Sequence, residues 1–199
     1  MEVLGIVGSM RKNGNTQKLV QAVLSEMSRM DPSIRTSLIY ATDLSCHPCH
    51  VVCHEANCSR HLFRCSMDDD VMHVLARMKE ADALVIGAPQ YFRGPPAGFH
   101  AMIERLISMS YFYETAGGSF ESSPLNGKQC GLIAVAEYST PQTMLEYLND
   151  FCLLLKMRPV TLTSFPYLGV GGHGELDSDE IFRPLEQCEA LAASLCMGR

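Results

Sequence analysis

The stretch Gly8-Ser9-Met10-Arg11-Lys12-Asn13-Gly14-Asn15-Thr16 decides how the rest of this chain is read. An apolar run, Val3-Leu4-Gly5-Ile6-Val7, precedes it, and Leu19, Val20, Val23, Leu24 and Met27 follow at helical spacing. Strand, glycine-punctuated polar loop and helix, in that order, build an anion site. The first amides of the helix have no intrahelical acceptor and lie at the positive end of its dipole. Ser9, Asn15 and Thr16 add short side-chain donors, and Arg11 and Lys12 add positive charge. Gly8 and Gly14 permit close backbone approach, Gly14 with access to positive φ. No Gly-Lys-Ser/Thr triplet ends the loop and no G-x-G-x-x-G lies within it, so it is neither a Walker loop nor a dinucleotide fingerprint.

Outward from this loop, strands and helices alternate. Ile34 to Tyr40 reads as a second strand, followed by a cysteine-rich loop. Asp68-Asp69-Asp70 opens a helix whose stripe is Val71, Val74, Leu75 and Met78. Ala83-Leu84-Val85-Ile86-Gly87-Ala88 is a continuous apolar run, as a strand buried on both faces requires. The rigid loop Pro89-Gln90-Tyr91-Phe92-Arg93-Gly94-Pro95-Pro96, a helix to about Met109 and an irregular segment from Ser110 to Gly127 come next. The strand Gln129 to Ala136, the loop Glu137-Tyr138-Ser139-Thr140, a helix from Pro141 to Lys156 and a last strand, Val160 to Thr163, complete the alternation. Gly169-x-Gly171-x-x-Gly174 matches the dinucleotide pattern out of context and reads as a flexible loop before the closing helix, Asp179 to Met197.

This pattern predicts an α/β three-layer sandwich with a five-stranded parallel sheet in the order 2-1-3-4-5, one domain over residues 1–199. A ligand then lies outside the carboxyl ends of strands one and three, and the polar loops after strands one, three and four share that rim.

Composition narrows the function. At 199 residues and 47% apolar content, the chain can bury a sizeable core. Its net charge of −6 opposes general nucleic-acid binding. No apolar run approaches the roughly 20 residues of a membrane span, and the amino terminus does not resemble a signal peptide, so a cytoplasmic protein is expected. Thiols stay reduced there, and nine cysteines, an odd number, point to metal or redox chemistry before disulfides.

Five of those cysteines sit between residues 44 and 66: Cys46, Cys49, Cys53, Cys58 and Cys65. Four thiolates in a flexible loop suit a cubane iron–sulfur cluster. His47, His50, His54 and His61 are interspersed, so zinc in a Cys2His2 or Cys3His set competes with it. Cys46-His47-Pro48-Cys49-His50 also fits a haem-attachment pattern, which the lack of an export signal disfavours. Cys130, Cys152, Cys188 and Cys196 fall in strand or helix patterns as buried small hydrophobes. His100 and Glu104 lie one helical turn apart with no third partner in view.

The residue 8–16 loop, together with Ala88-Pro89-Gln90-Tyr91-Phe92, resembles the flavodoxin-like NAD(P)H-dependent FMN reductases. The cysteine loop after strand two, Cys65-x3-Asp69-Asp70-Val71 and Ala81-Asp82-x4-Gly87-x-Pro89 resemble the iron–sulfur flavoproteins within that group. Their compact motif is Cys-x2-Cys-x2-Cys with a fourth cysteine shortly before an Asp-Asp pair. Here the third cysteine is displaced by one residue, with Val52 in its place. The resemblance implies FMN held by Ser9, Met10, Arg11, Gly14, Asn15, Thr16, Pro89, Gln90, Tyr91 and Phe92, with Glu137, Tyr138 and Ser139 on a third loop and Arg93, Tyr111, Phe112 and Tyr113 over the ring or an interface. It implies a [4Fe-4S] cluster on Cys46, Cys49, Cys53 and Cys58, with Cys65 as the alternative fourth ligand. Strand two neighbours strand one, about 4.8 Å away, so such a cluster opens on the flavin rim.

The function expected is electron transfer by FMN and the cluster, with no side chain acting as acid or base, NAD(P)H or a small redox protein such as ferredoxin as partner, and a homodimer or homotetramer. Two alternatives stand beside it: an NAD(P)H-dependent FMN or quinone reductase whose cysteine loop is structural or zinc-binding, and a redox- or metal-sensing protein without turnover.

Overall fold

The computed structural model describes residues 1–50, 65, 67–106, 113–114, 120–121, 123–176 and 179–198. Strand β1 (Glu2–Val7) is central; β2 (Arg35–Tyr40) pairs with it from Glu2↔Arg35 to Val7↔Tyr40, and β3 (Ala83–Pro89) flanks its other side. A separate antiparallel pair, β4 (Tyr113–Glu114) and β5 (Phe120–Glu121), lies within the segment expected to be irregular. Strand β6 (Gln129–Ala136) pairs with β3 from Ala83↔Gln129 to Pro89↔Val135. All pairings of the main sheet are parallel, and the order, with only the strands of this sheet counted, is the expected 2-1-3-4-5.

The fifth position is filled by two pieces. Strand β7 (Arg158–Pro159) runs beside Gln129 and Cys130, and β8 (Val170–His173) runs beside Ile133 to Ala136 on the same edge of β6. The expected strand Val160 to Thr163 is therefore corrected. Val160 N–H still donates to Cys130 O at 2.9 Å, but Leu162 N–H turns away to Tyr167 O at 2.6 Å. The expected flexible glycine loop is also corrected, because Gly171 and Gly172 lie inside β8. A Cβ on Gly169 would sit 2.2 Å from Leu132 O, and one on Gly171 would sit 3.0 Å from Phe182 and Pro141. These glycines answer close packing against the sheet edge.

The helices α1 (Asn15–Met30), α2 (Val71–Glu80), α3 (Ala97–Leu106), α4 (Gln142–Leu154) and α5 (Pro184–Met197) cover both faces. Side chains alternate across a strand, and the strands divide accordingly. Leu4, Ile6, Leu84, Ile86, Leu132 and Ala134 belong to the core under α2, α3 and α4. Val3, Val7, Val85, Ile133 and Val135 belong to the core under α1 and α5. Helix α5 starts at Pro184, not Asp179, because the Asp179 carboxylate accepts the amides of His173 and Phe182 and caps a turn instead. Among the described residues, no helix is long and apolar enough to cross a membrane.

Candidate functional site

The loops after β1, β3 and β6 meet at the carboxyl rim around a groove of about 820 Å³. Its wall holds Ser9, Arg11, Gly14, Asn15 and Thr16 from the first loop, Pro89, Gln90, Tyr91 and Phe92 from the second, and Glu137, Tyr138 and Ser139 from the third. Of the thirteen residues expected there, Met10 alone does not line the groove; its thioether points toward Gly98. Asn13, Arg93 and Val135 complete the wall.

The first loop is held in shape by its own hydrogen bonds. Gly8 N–H donates to Gly87 O at 2.7 Å, and Arg11 N–H donates to the buried Ser9 Oγ at 3.1 Å. Positive φ falls on Asn13, at 59°, and not on Gly14, which is extended with φ −80° and ψ 172°. Gln17, which sequence reasoning missed, fixes that turn by accepting Asn13 N–H at 2.8 Å. No side chain caps α1 and no acid stands in its first turn, so its positive end faces the groove. Lys12 does not serve the groove: its Nζ pairs with Asp43 at 2.7 Å and lies over the Tyr40 ring. The cation of this loop is Arg11.

The second loop turns back on itself, with Tyr91 and Gly94 exchanging backbone hydrogen bonds at 2.8 and 2.9 Å. Its tip residues Phe92 and Arg93 take φ of 48° and 67°, a conformation that costs a non-glycine residue about 1–2 kcal/mol. Gln90 is tied in at two points, by its N–H to Val135 O at 2.7 Å and by its Nε2 to Ser139 Oγ at 2.5 Å. Its Oε1 is buried and has no hydrogen-bond partner among the described residues. A buried acceptor left unpaired costs about 1–3 kcal/mol, so the groove presents an acceptor in want of a donor. Phe92 and Tyr138 stand wholly exposed on the rim.

The thiol-bearing segment leaves β2 through the short helical turn Ala41–Asp43 and passes along α3. Cys46, Cys49 and Cys65 are free thiols, each partly buried; Cys53 and Cys58 lie outside the described residues, as do His54, His61, Tyr111 and Phe112. Among the described residues, no three metal-ligating side chains converge. What organises the segment is Arg105 of α3, a residue the sequence reading did not single out. Its side chain is wholly buried against Asp69, with Nη1 and Nη2 reaching the two carboxylate oxygens at 2.7 and 3.1 Å. Nη1 also donates to His47 O at 3.1 Å, and Nε donates to Cys65 Sγ at 2.9 Å. Burial opposes ionisation of Asp69, but hydrogen bonds from Arg105 and from the amides of His47 and Val71 outweigh it, and its carboxyl sits below the ordinary range. Burial, reinforced by Asp69 and Asp70, pushes the Cys46 thiol up to about 11. A hint of Arg105 was present in the sequence: it interrupts an apolar stripe of Ala101, Met102 and Leu106.

His100 and Glu104 do have a third partner. Tyr147 Oη lies 2.9 Å from His100 Nδ1, with Glu104 3.4 Å from Nε2, and Glu104 also accepts Cys49 N–H at 3.1 Å. Burial, with the Glu104 charge, raises the Tyr147 hydroxyl above its ordinary value.

Residues 1–166 match the family described as NADPH-dependent FMN reductase. The chain is 30% identical over 159 residues to an iron–sulfur flavoprotein of Methanocaldococcus jannaschii, covering 79% of this chain and 74% of that one. In three dimensions it resembles RosB, solved with 8-demethyl-8-formylriboflavin-5'-phosphate, at a TM-score of 0.69 and 15% identity over 98% of this chain and 77% of that one. It also resembles a flavodoxin from the domain Archaea, at a TM-score of 0.58 and 13% identity over 98% and 96%. At these identities the two structures speak to the fold.

Proposed function

We propose that this chain, which belongs to the NADPH-dependent FMN reductase family and is a flavin-dependent oxidoreductase related to the iron–sulfur flavoproteins, couples FMN to a [4Fe-4S] cluster on its thiol-bearing segment. The observation that carries the reading is the groove itself: an uncapped helix end and Arg11 at one side, and the unpaired Gln90 Oε1 at the other. A flavin phosphate fits that donor set. Arg11, Thr16 and the first amides of α1 would hold its phosphoryl group beside Ser9 and Asn15, whose side chains donate to Arg11 O at 3.2 Å and Gly174 O at 2.5 Å. Gln90 Oε1 would accept a ring or ribityl donor, and Tyr91, Glu137 and Tyr138 would flank the ring. Free thiols at Cys46, Cys49 and Cys65, together with Cys53 and Cys58, supply the ligand chemistry an iron–sulfur cluster takes. When bound, FMN exchanges electrons in pairs with a nicotinamide and singly with a metal centre, and the protein supplies position and field.

NAD(P)H or a small redox protein such as ferredoxin is the partner this reading implies, in the cytoplasm. The exposed rim residues Phe92 and Tyr138 support a homodimer or homotetramer. The test is the visible spectrum of anaerobically purified protein, with FMN, iron and acid-labile sulfide measured per chain. Flavin bands with iron and sulfide in equal amounts are expected. Zinc in place of iron and sulfide refutes the cluster and leaves the reductase reading. Failure of colourless, folded protein to take up FMN refutes both, and lack of NAD(P)H oxidation with any added acceptor points to a sensor.

A further inference from the structure

Arg105 is the deepest-set cation described in this chain, and stability alone is a poor account of it. Removing a guanidinium and a carboxylate from water costs several kcal/mol per ion, which their attraction repays only with good geometry and further hydrogen bonds. Well-packed apolar side chains between Met102 and Leu106 serve a core at least as well. The further hydrogen bonds show where the pair acts. Arg105 binds His47 O and Cys65 Sγ, while Asp69 Oδ2 accepts His47 N–H at 3.1 Å. Asp70 accepts Ser45 N–H at 2.7 Å, and Cys65 N–H donates to Met72 Sδ at 3.2 Å. His47 and Cys65 are thereby tied to one fork fixed in the core, with Ser45 held beside it by Asp70.

We infer that Arg105 is the positioning residue of the thiol-bearing segment: it holds Cys65 against the turn that carries Cys46 and His47, in place to bind metal, and keeps its Nε–H on the Cys65 sulfur when metal is bound. The inference rests on the metal-binding reading of that segment. Planarity matters here, because one guanidinium spans a carboxylate, a carbonyl and a sulfur that a lysine ammonium does not span together. A hydrogen bond to a ligand sulfur stabilises the more negative, reduced state of a cluster, so Arg105 raises its reduction potential.

Two variants test this. Arg105→Lys keeps a positive charge opposite Asp69 and loses the fork. The double variant Arg105→Gln, Asp69→Asn removes both charges together and leaves no lone buried ion. FMN, iron and sulfide per chain and the midpoint potential of the metal centre are measured on the purified holoprotein. Iodoacetamide labelling of Cys65 is located on the same preparations by peptide mass. Both variants are expected to keep FMN, to lose iron and sulfide several-fold or hold them at a lower potential, and to label Cys65 several-fold faster than the wild type. Variants that keep FMN and match the wild type in iron, sulfide, potential and labelling overturn the inference. So does parallel loss of FMN and iron in both, which marks a purely structural pair. If the wild type itself carries no iron or sulfide, the metal reading fails on its own, and Cys65 labelling alone decides whether Arg105 positions the segment.

Discussion

Replacing Gln90 with leucine should move the ligand-free and the flavin-bound protein in opposite directions. In the ligand-free protein Gln90 Oε1 is buried without a partner among the described residues, a penalty of about 1–3 kcal/mol that an apolar side chain of similar size does not carry. The Nε2 bond lost in the exchange ends on Ser139, which is exposed and finds water instead. A net gain of about 1 kcal/mol corresponds to a rise of about 2–4 °C in the thermal midpoint of a domain this size. With FMN bound, the lost acceptor costs about 1–1.5 kcal/mol of binding, near tenfold in Kd. Thermal unfolding with and without FMN, together with quenching of FMN fluorescence on titration, reads both numbers. Unchanged FMN affinity in Gln90→Leu, or equal shifts of the same sign in the two forms, refutes the assignment of this oxygen to the cofactor.

Gly8→Ala places a Cβ 2.7 Å from Phe99 Cγ and should cost about 1–3 kcal/mol in thermal stability, most of it recovered in a double variant with Phe99→Leu. Phe92→Gly relieves a left-handed φ of 48° on a side chain exposed in the single chain, so the stability of the monomer should rise by up to about 1 kcal/mol, read as a higher urea midpoint with an unchanged slope. The lowered Asp69 carboxyl contributes stability that is complete above the ordinary carboxylate value near about pH 4 and is lost as pH falls through its folded value. Thermal midpoints from pH 7 down to pH 3 should fall less steeply in the Arg105→Gln, Asp69→Asn protein than in the wild type.

Local pattern carried the sequence reading a long way, and the places it failed share a cause. Apolar runs in β1, β3 and β6 and helical stripes in α1 and α2 are signals written in neighbouring residues, so the alternation and the sheet order followed from them. Twelve of the thirteen residues expected at the groove line it for the same reason, since the carboxyl ends of parallel strands must share a rim. The split fifth strand was not legible. The run Val170-Gly171-Gly172-His173 has the composition of a loop, and only the crowding of Leu132, Pro141 and Phe182 around it makes glycine the residue that fits a strand there.

The sequence by itself therefore determined the layered α/β architecture, the polar loop between β1 and α1 and the unusual density of thiols, because each depends on residue types at short spacing. Tertiary structure alone decided that Asn13 and not Gly14 bears the positive φ, that Lys12 is spent on Asp43, that Gln90 keeps an unpaired oxygen, and that Arg105 and Asp69 join His47 to Cys65. Those outcomes depend on which distant groups compete for one donor or acceptor inside a low-dielectric core, and no spacing along the chain encodes that competition.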